Sequence, residues 1–238
     1  MNNINVGKCR GCQRKDLHKM CPAHGTLYFM SGEPFTKEVE SIYHRFSVFI
    51  NVKLMRSAYF FSQEAHKGQK RRDGKDYFLG HVLPVAMIAS EYCIDSGAFL
   101  ENYITITTSA LLHDVVEDTS ITLQDIENYF GNNISRTVDA LTRRKEENYY
   151  QFINRIRPEK YAPFVKLCDL LHNTNDVSSK DSSSNKHALY LFSIEKLSRD
   201  LSINILNLQN ILNNISADAL ILDGIFQFIK NNNENLAY

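Results

Sequence analysis

Ala110-Leu111-Leu112-His113-Asp114-Val115-Val116-Glu117-Asp118-Thr119 sets one imidazole and three carboxylates within six residues. The run before it, Ile104 to Leu112, carries no charge, so the cluster starts at the end of an apolar segment expected to be helical and buried. Charge in such surroundings is costly unless a partner compensates it. A divalent cation is such a partner. On one continuous helix, His113 and Asp114 stand about 100° apart and can both lean toward an ion between them. Glu117 and Asp118 then follow one turn on, above His113 and Asp114 respectively. This reading gives a metal-gripping pair backed by an acidic pair that faces whatever the metal holds. The alternative is a solvated, charged helix end, which leaves the uncharged run before it unexplained.

Other segments carry residues of matching chemistry. Ala65 to Tyr77 holds Gly68 and Gly74 with five cations, among them Arg71 and Arg72. That composition suits either a loop that binds anionic oxygens or a solvated surface loop. His81 precedes Pro84, and the spacing predicts a helix opening there with Pro84 in its first turn, where the missing donor does no harm. Alone, His81 would be a structural or surface histidine; beside a second ligand cluster it becomes a candidate. Asp169 and Asn173 lie one turn apart on the helical segment from Val165, with Leu167, Leu170 and Leu171 facing elsewhere. Asp169 could be a fourth ligand and Asn173 an amide that reaches substrate, although a single acid on a helix is ordinarily a cap or a surface group. Near the start, Cys9-x-x-Cys12 and Cys21-x-x-His24 have spacings that suit tetrahedral zinc. The competing reading is an N-terminal arm with free thiols.

Positioning these groups requires helices. Thr36 to about His66 has a helical apolar pattern built on Phe46, Phe49, Ile50, Val52, Leu54, Tyr59 and Phe60. Thr122 to Asp125 resembles a capping box, and Phe130-Gly131 a helix stop. Short helices are expected over Val138–Leu141 and Tyr149–Ile156, with a charged loop from Arg143 to Glu147 between them. Pro158 is expected to start another helix, ending near Asn173. Ser178 to Ser184 reads as a linker. Beyond it, Leu201, Ile205, Leu208, Leu212, Ile215, Ala219, Leu222, Phe226 and Ile229 follow a coiled-coil-like spacing. Ile203, Leu206, Ile211, Leu220, Ile221 and Ile225 widen that stripe, which favours packing on the parent core. Ser216 offers a cap that would split the run into two helices. With no hairpin signal and no strand alternation, the expected fold is all-α.

Composition narrows the classes. With 238 residues, 43% of them hydrophobic, the chain can bury one substantial core with an appendage. Lys+Arg and Asp+Glu balance at 27 each, so no global basic field points to nucleic acid. No apolar run approaches the roughly 20 residues of a membrane span, and the start lacks a signal-peptide core. Five cysteines, two of them in apolar segments, do not suggest a disulfide framework. A cytoplasmic location is expected. The expected organisation is an arm over 1–35, a main domain over 36–176, and a linker with C-terminal helices over 177–238 that pack on the domain.

Three ordered segments together resemble the HD-domain family, and within it the alarmone hydrolases: the hydrolase half of bifunctional (p)ppGpp synthetase/hydrolases and the small stand-alone hydrolases. His66-x-Gly68-Gln69-x-Arg71 with Gly74 and Tyr77 is similar to the family loop that leads to its first metal histidine, here His81. Ala110 to Thr119 matches the family's His-Asp signature almost residue for residue. Val165-Lys166-Leu167-Cys168-Asp169 through Asn173 resembles its third segment. The resemblance implies an HD-type helical bundle in which His81, His113, Asp114 and Asp169 hold a divalent metal, usually manganese. It further implies Glu117 and Asp118 as the acid/base pair, with Arg71 and Asn173 on substrate and Arg72 as a neighbour. The implied reaction is removal of the 3′-pyrophosphate of (p)ppGpp. Three departures stand out. The chain is one residue longer between Arg71 and His81, the proline after that histidine comes three residues on, and Leu170 occupies a place often basic in the family. The 65 residues after Asn173 are too few for a synthetase domain, so a hydrolase-only protein is expected, with oligomerisation left open. Two other functions fit the same residues: an HD phosphohydrolase of another phosphorylated nucleotide, such as NADPH or a nucleoside phosphate, and a non-catalytic regulatory protein on the HD scaffold.

Overall fold

The computed structural model describes residues 36–97, 99–175 and 185–232. In chain order the helices are α1 (Lys37–Arg45), α2 (Ser47–Asn51), α3 (Lys53–Ala65), a π turn (Phe78–Val82) that runs into α4 (Leu83–Asp95), α5 (Tyr103–Leu112), α6 (Val115–Asp118), α7 (Leu123–Phe130), α8 (Asn132–Leu141), α9 (Tyr149–Ile156), α10 (Ala162–Asn175), α11 (Asn185–Asp200) and α12 (Ile205–Asn232). The fold is all-α. Among the described residues the only extended pairing is an isolated antiparallel bridge between Lys70 and Asp76.

The centre is made by α4 and α5, each built around a long uncharged run. Leu83 through Ser90 on α4, and Ile106 through Leu112 on α5, are buried without interruption. A helix apolar on all sides can only be an interior one. Ala86, Ala89, Ser90, Ser109 and Ala110 are small, which suits the close packing of α4 on α5. Around this pair stand α3 against α5, and α10 against both α4 and α5. The more amphipathic helices form the periphery.

Several boundaries differ from the sequence pattern for physical reasons. The Thr36–His66 stretch is three helices, broken at Phe46 and at Val52, whose backbone is extended. The breaks let Phe46, Phe49 and Ile50 all turn into the core. The expected Val138–Leu141 helix begins earlier, at Asn132, because Gly131 at φ +84° ends α7 and starts α8 at once. The Thr122 capping box is present, with Asp125 as its reciprocal partner. Pro158 does not start a helix: the chain turns there, and α10 begins at Ala162, with Pro163 in the first turn.

At the C-terminus, Ser216 does not divide the run. α12 is continuous from Ile205 to Asn232, and the break falls before it, where Ser202 takes φ +56°. Tertiary packing outweighs the local cap: Leu208, Ile211, Leu212, Ile215, Ala219, Leu222, Ile225 and Phe226 make one buried stripe, which lies on α4 and α1. Leu206 and Leu220 fall off that stripe, at 65% and 66% exposure. Polar groups fix the register. Arg45 bridges Glu91 of α4 and Asp218 of α12 at 2.5 and 2.6 Å, while the buried Tyr59 hydroxyl donates to Asp223. Above that bond, Phe226 stacks on the Tyr59 ring at 3.9 Å. No helix of the described residues is long and apolar enough to cross a membrane.

Candidate metal centre

α5 stops at Leu112, and His113 and Asp114 form the junction before α6. One cause is local. His113 Nδ1 donates to the Ala110 carbonyl at 2.8 Å, an acceptor that the Asp114 N–H would use in a continuous helix. The expectation of a single helix through Asp118 is therefore corrected, and Glu117 and Asp118 do not stack regularly above the first pair. His81 reaches the same place from the π turn. A π turn carries about one residue more than an α turn, and it is this turn that presents the buried His81. Asp169 comes from the middle of α10, and Asn173 from one turn later.

These side chains converge. His81 Nε2 lies 3.3 Å from His113 Nε2, 3.3 Å from Asp114 Oδ2 and 3.2 Å from Asp169 Oδ1. His113 Nε2 lies 3.0 Å from Asp114 Oδ2 and 3.8 Å from Asp169 Oδ1. His81, His113 and Asp169 are 1%, 2% and 3% exposed, and one ligand atom from each falls within 4.8 Å of the others. A carbonyl can only accept, so His113 carries its proton on Nδ1 and, as a neutral ring, keeps a lone pair on Nε2. Imidazole lone pairs and carboxylate oxygens aimed at one buried point are all acceptors, and this donor set fits a divalent cation.

The electrostatics express the same need for positive charge. Burial opposes the His113 cation, yet the Asp114 carboxylate beside it pushes its pKa up to about 9. Burial would raise Asp114, but His113 holds it well below the usual carboxylate range. Asp169 is likewise held low against burial, chiefly by the Lys166 ammonium, which donates to its Oδ2 at 2.6 Å. Lys166 thus engages one oxygen of Asp169 and leaves Oδ1 toward the histidines.

The remaining candidates divide by place. Asn173 donates to Asp169 Oδ1 at 2.6 Å and accepts from Arg71 at 3.3 Å, so Arg71, Asn173 and Asp169 are linked in series. The arginine loop is closed by the Arg71 N–H to Lys75 carbonyl bond at 2.9 Å and by Gly68 and Gly74 in the left-handed region. The loop lies against the π turn: a Cβ at Gly80 would be in van der Waals contact with Arg71 Cδ and Lys75 Cβ, both at 3.4 Å. Arg72 is exposed, whereas Arg71 is half-buried. Asp118 accepts from the Tyr77 hydroxyl at 2.9 Å, and the same hydroxyl lies 2.7 Å from Asp114 Oδ2. Burial, then the Asp114 charge, raises the Asp118 pKa. Glu117 is exposed and accepts from the Arg143 backbone N–H at 3.1 Å. Leu170 is fully buried in the core. Cys9, Cys12, Cys21 and His24 lie outside the described residues, as does the 178–184 linker.

Three participants were given no role from the sequence. Tyr77 ties Asp114 to Asp118, Lys166 holds Asp169, and His172 sets its Nδ1 3.0 Å from Nδ1 of His81. All three stand inside the motif segments. Lys166 and Asp169 form an ordinary i,i+3 pair that gives no hint of a buried site, and Tyr77 and His172 have no local signature of partners 37 and 91 residues away.

Comparison with known proteins gives a consistent result. The family model described as HD domain matches residues 58–192. GTP pyrophosphokinase rsh of Brucella melitensis biotype 1 is 35% identical over 140 residues, which covers 54% of this chain and 18% of the relative. The bifunctional (p)ppGpp synthase/hydrolase SpoT of Escherichia coli K12 is 33% identical over 139 residues, with the same two coverages. The guanosine-3′,5′-bis(diphosphate) 3′-pyrophosphohydrolase of Escherichia coli O157:H7 matches equally. The chain thus spans about a fifth of the length of these curated relatives. A solved structure of a metazoan SpoT ortholog that hydrolyzes ppGpp aligns with TM-score 0.49 at 23% identity, over 74% of this chain and 95% of that one.

Proposed function

We propose that the chain, which belongs to the HD-domain family, is a manganese-dependent hydrolase that removes pyrophosphate from the 3′ position of a guanosine alarmone. The observation that carries this reading is the series Arg71–Asn173–Asp169: it joins a phosphate-binding type of side chain directly to a buried cation site. Two relatives at 33% identity are named as a (p)ppGpp synthase/hydrolase and as a guanosine-3′,5′-bis(diphosphate) 3′-pyrophosphohydrolase, which supports the choice of substrate. The substrate is then a phosphorylated nucleotide, and a cytoplasmic location suits a molecule too highly charged to cross a lipid bilayer unaided.

His81, His113, Asp114 and Asp169 would hold the metal. When bound, a divalent cation supplies Lewis acidity toward a phosphoryl oxygen and makes water more acidic. The oxygen- and nitrogen-containing ligand set suits manganese without selecting it over other divalent ions. Arg71 binds phosphate oxygens with its two-pronged guanidinium and offsets charge that grows there. Asn173 holds both Arg71 and Asp169 and so couples the position of the phosphate to that of the cation. Asp118 and Glu117 handle the protons of the attacking water and the leaving group. Asp118 is the better placed, since Tyr77 already links it to Asp114.

The test is purified protein with manganese and a panel of ppGpp, NADPH and nucleoside monophosphates, each followed for released pyrophosphate or phosphate. Release of pyrophosphate from ppGpp in preference to the other reactions is the expected result. Preferred turnover of another nucleotide would keep the hydrolase and discard the alarmone. Metal-loaded protein inert toward the whole panel would favour a regulatory protein on this scaffold.

A further inference from the structure

His172 is buried, 4% exposed, and has no role in the chemistry above. Its Nδ1 faces Nδ1 of His81 at 3.0 Å, with the rings tilted and their centroids 5.0 Å apart. Two ring nitrogens at that distance share one proton, so one donates and the other accepts. The two arrangements are not equivalent for the cation site. If His172 donates, the neutral His81 ring must carry its proton on Nε2. That is the atom 3.3 Å from His113 Nε2 and 3.2 Å from Asp169 Oδ1, and no lone pair then remains there for a metal. If His172 accepts, His81 is protonated on Nδ1 and its Nε2 lone pair points at the cation.

We propose that His172 is a positioning residue: a hydrogen-bond acceptor that holds His81 in the tautomer able to bind the metal. The fold builds this economically. Asp169 and His172 are three residues apart on α10, so they lie on neighbouring faces of one helix. α10 thus delivers a ligand and the orienter of a second ligand as one rigid unit. His113 is oriented in the same manner by a different acceptor, the Ala110 carbonyl. Each histidine of the site therefore has an outer partner, an arrangement that tunes metal sites generally. The proposal rests on the metal reading above, and its test separates the two.

Manganese affinity is measured by calorimetric titration for wild type, His172→Leu and His172→Asn, with the Tm of each metal-free protein alongside. Leucine keeps bulk but cannot accept, whereas the asparagine oxygen can occupy the place of Nδ1. His172→Leu is expected to bind manganese ~10- to 100-fold more weakly, His172→Asn to recover most of that loss, and metal-free Tm to stay near wild type. His172→Leu with wild-type affinity overturns the proposal. Wild type that fails to bind any divalent ion overturns the metal reading and the proposal with it. A second measurement needs no variant: nitrogen NMR of histidine-labelled, zinc-loaded wild type reports tautomers directly. His172 protonated on Nε2 supports the acceptor role, and His172 protonated on Nδ1 contradicts it.

Discussion

Glu117 and Asp118 are adjacent in sequence but not in environment. Asp118 is tied through Tyr77 to Asp114, while Glu117 turns to the Arg143 backbone. Glu117→Gln keeps an acceptor for that N–H, so a loss of rate would report the missing base rather than a displaced loop. Turnover is expected to fall about a hundredfold with bound metal unchanged; unchanged turnover would assign the proton work to Asp118 alone. Arg71 and Arg72 form a second natural comparison. Lysine cannot copy the guanidinium fork, so Arg71→Lys should weaken substrate use substantially with little change in metal content or Tm, while Arg72→Lys should stay near wild type. Kinetics on both variants check it, and the reverse pattern would shift the loop register by one. At this scale the sequence was informative where chemistry is clustered. His113, Asp114 and Asp118 announce themselves by crowding acids and an imidazole after an apolar run. His81, Arg71 and Asp169 were candidates from the residues but became specific only through the resemblance, because each is ordinary in its own segment. The roles of Tyr77 and His172 stayed hidden, since their partners lie 37 and 91 residues away, and that of Lys166 because an i,i+3 Lys–Asp pair looks like any surface pair until burial is known.

Elements were most legible where burial is total. The uncharged runs of α4 and α5 could only be central, and the capping box at Thr122 fixed a helix start from local chemistry alone. Breaks were less legible, because tertiary contacts decide them. A histidine that takes a helix carbonyl ended α5 at the site, a π turn led into α4 at His81, and a continuous apolar stripe overrode the cap at Ser216. The stripe yields a prediction for α12. Phe226 is fully buried and stacked on Tyr59, so Phe226→Ala should lower stability by about 3–5 kcal/mol through lost burial and a cavity. Leu220→Ala, on the exposed face, should change it by less than about 0.5 kcal/mol. Urea denaturation of both variants checks the pair, and equal effects would contradict the docking of α12 described here.

For the molecule as a whole, the buried acceptors at the junction of the π turn, α5, the α5–α6 link and α10 connect stability to the cation. A ligand that binds only the folded state stabilises it by about 2.7 kcal/mol when present at 100 times its Kd. Chelation should therefore lower the Tm of wild type, and His113→Ala, which loses a ligand, should show little response to added manganese or to chelator. Thermal scans with and without metal test this without reference to any substrate. Activity ties the scales together, since it needs the cation, the arginine loop and the acid pair at once. The most direct measurement is product analysis of ppGpp incubated with the manganese-loaded protein. One GDP and one pyrophosphate per ppGpp consumed, with no reaction in the His113→Ala variant, is the predicted result. Intact ppGpp after incubation with fully metal-loaded wild type, or release of orthophosphate instead, would contradict it.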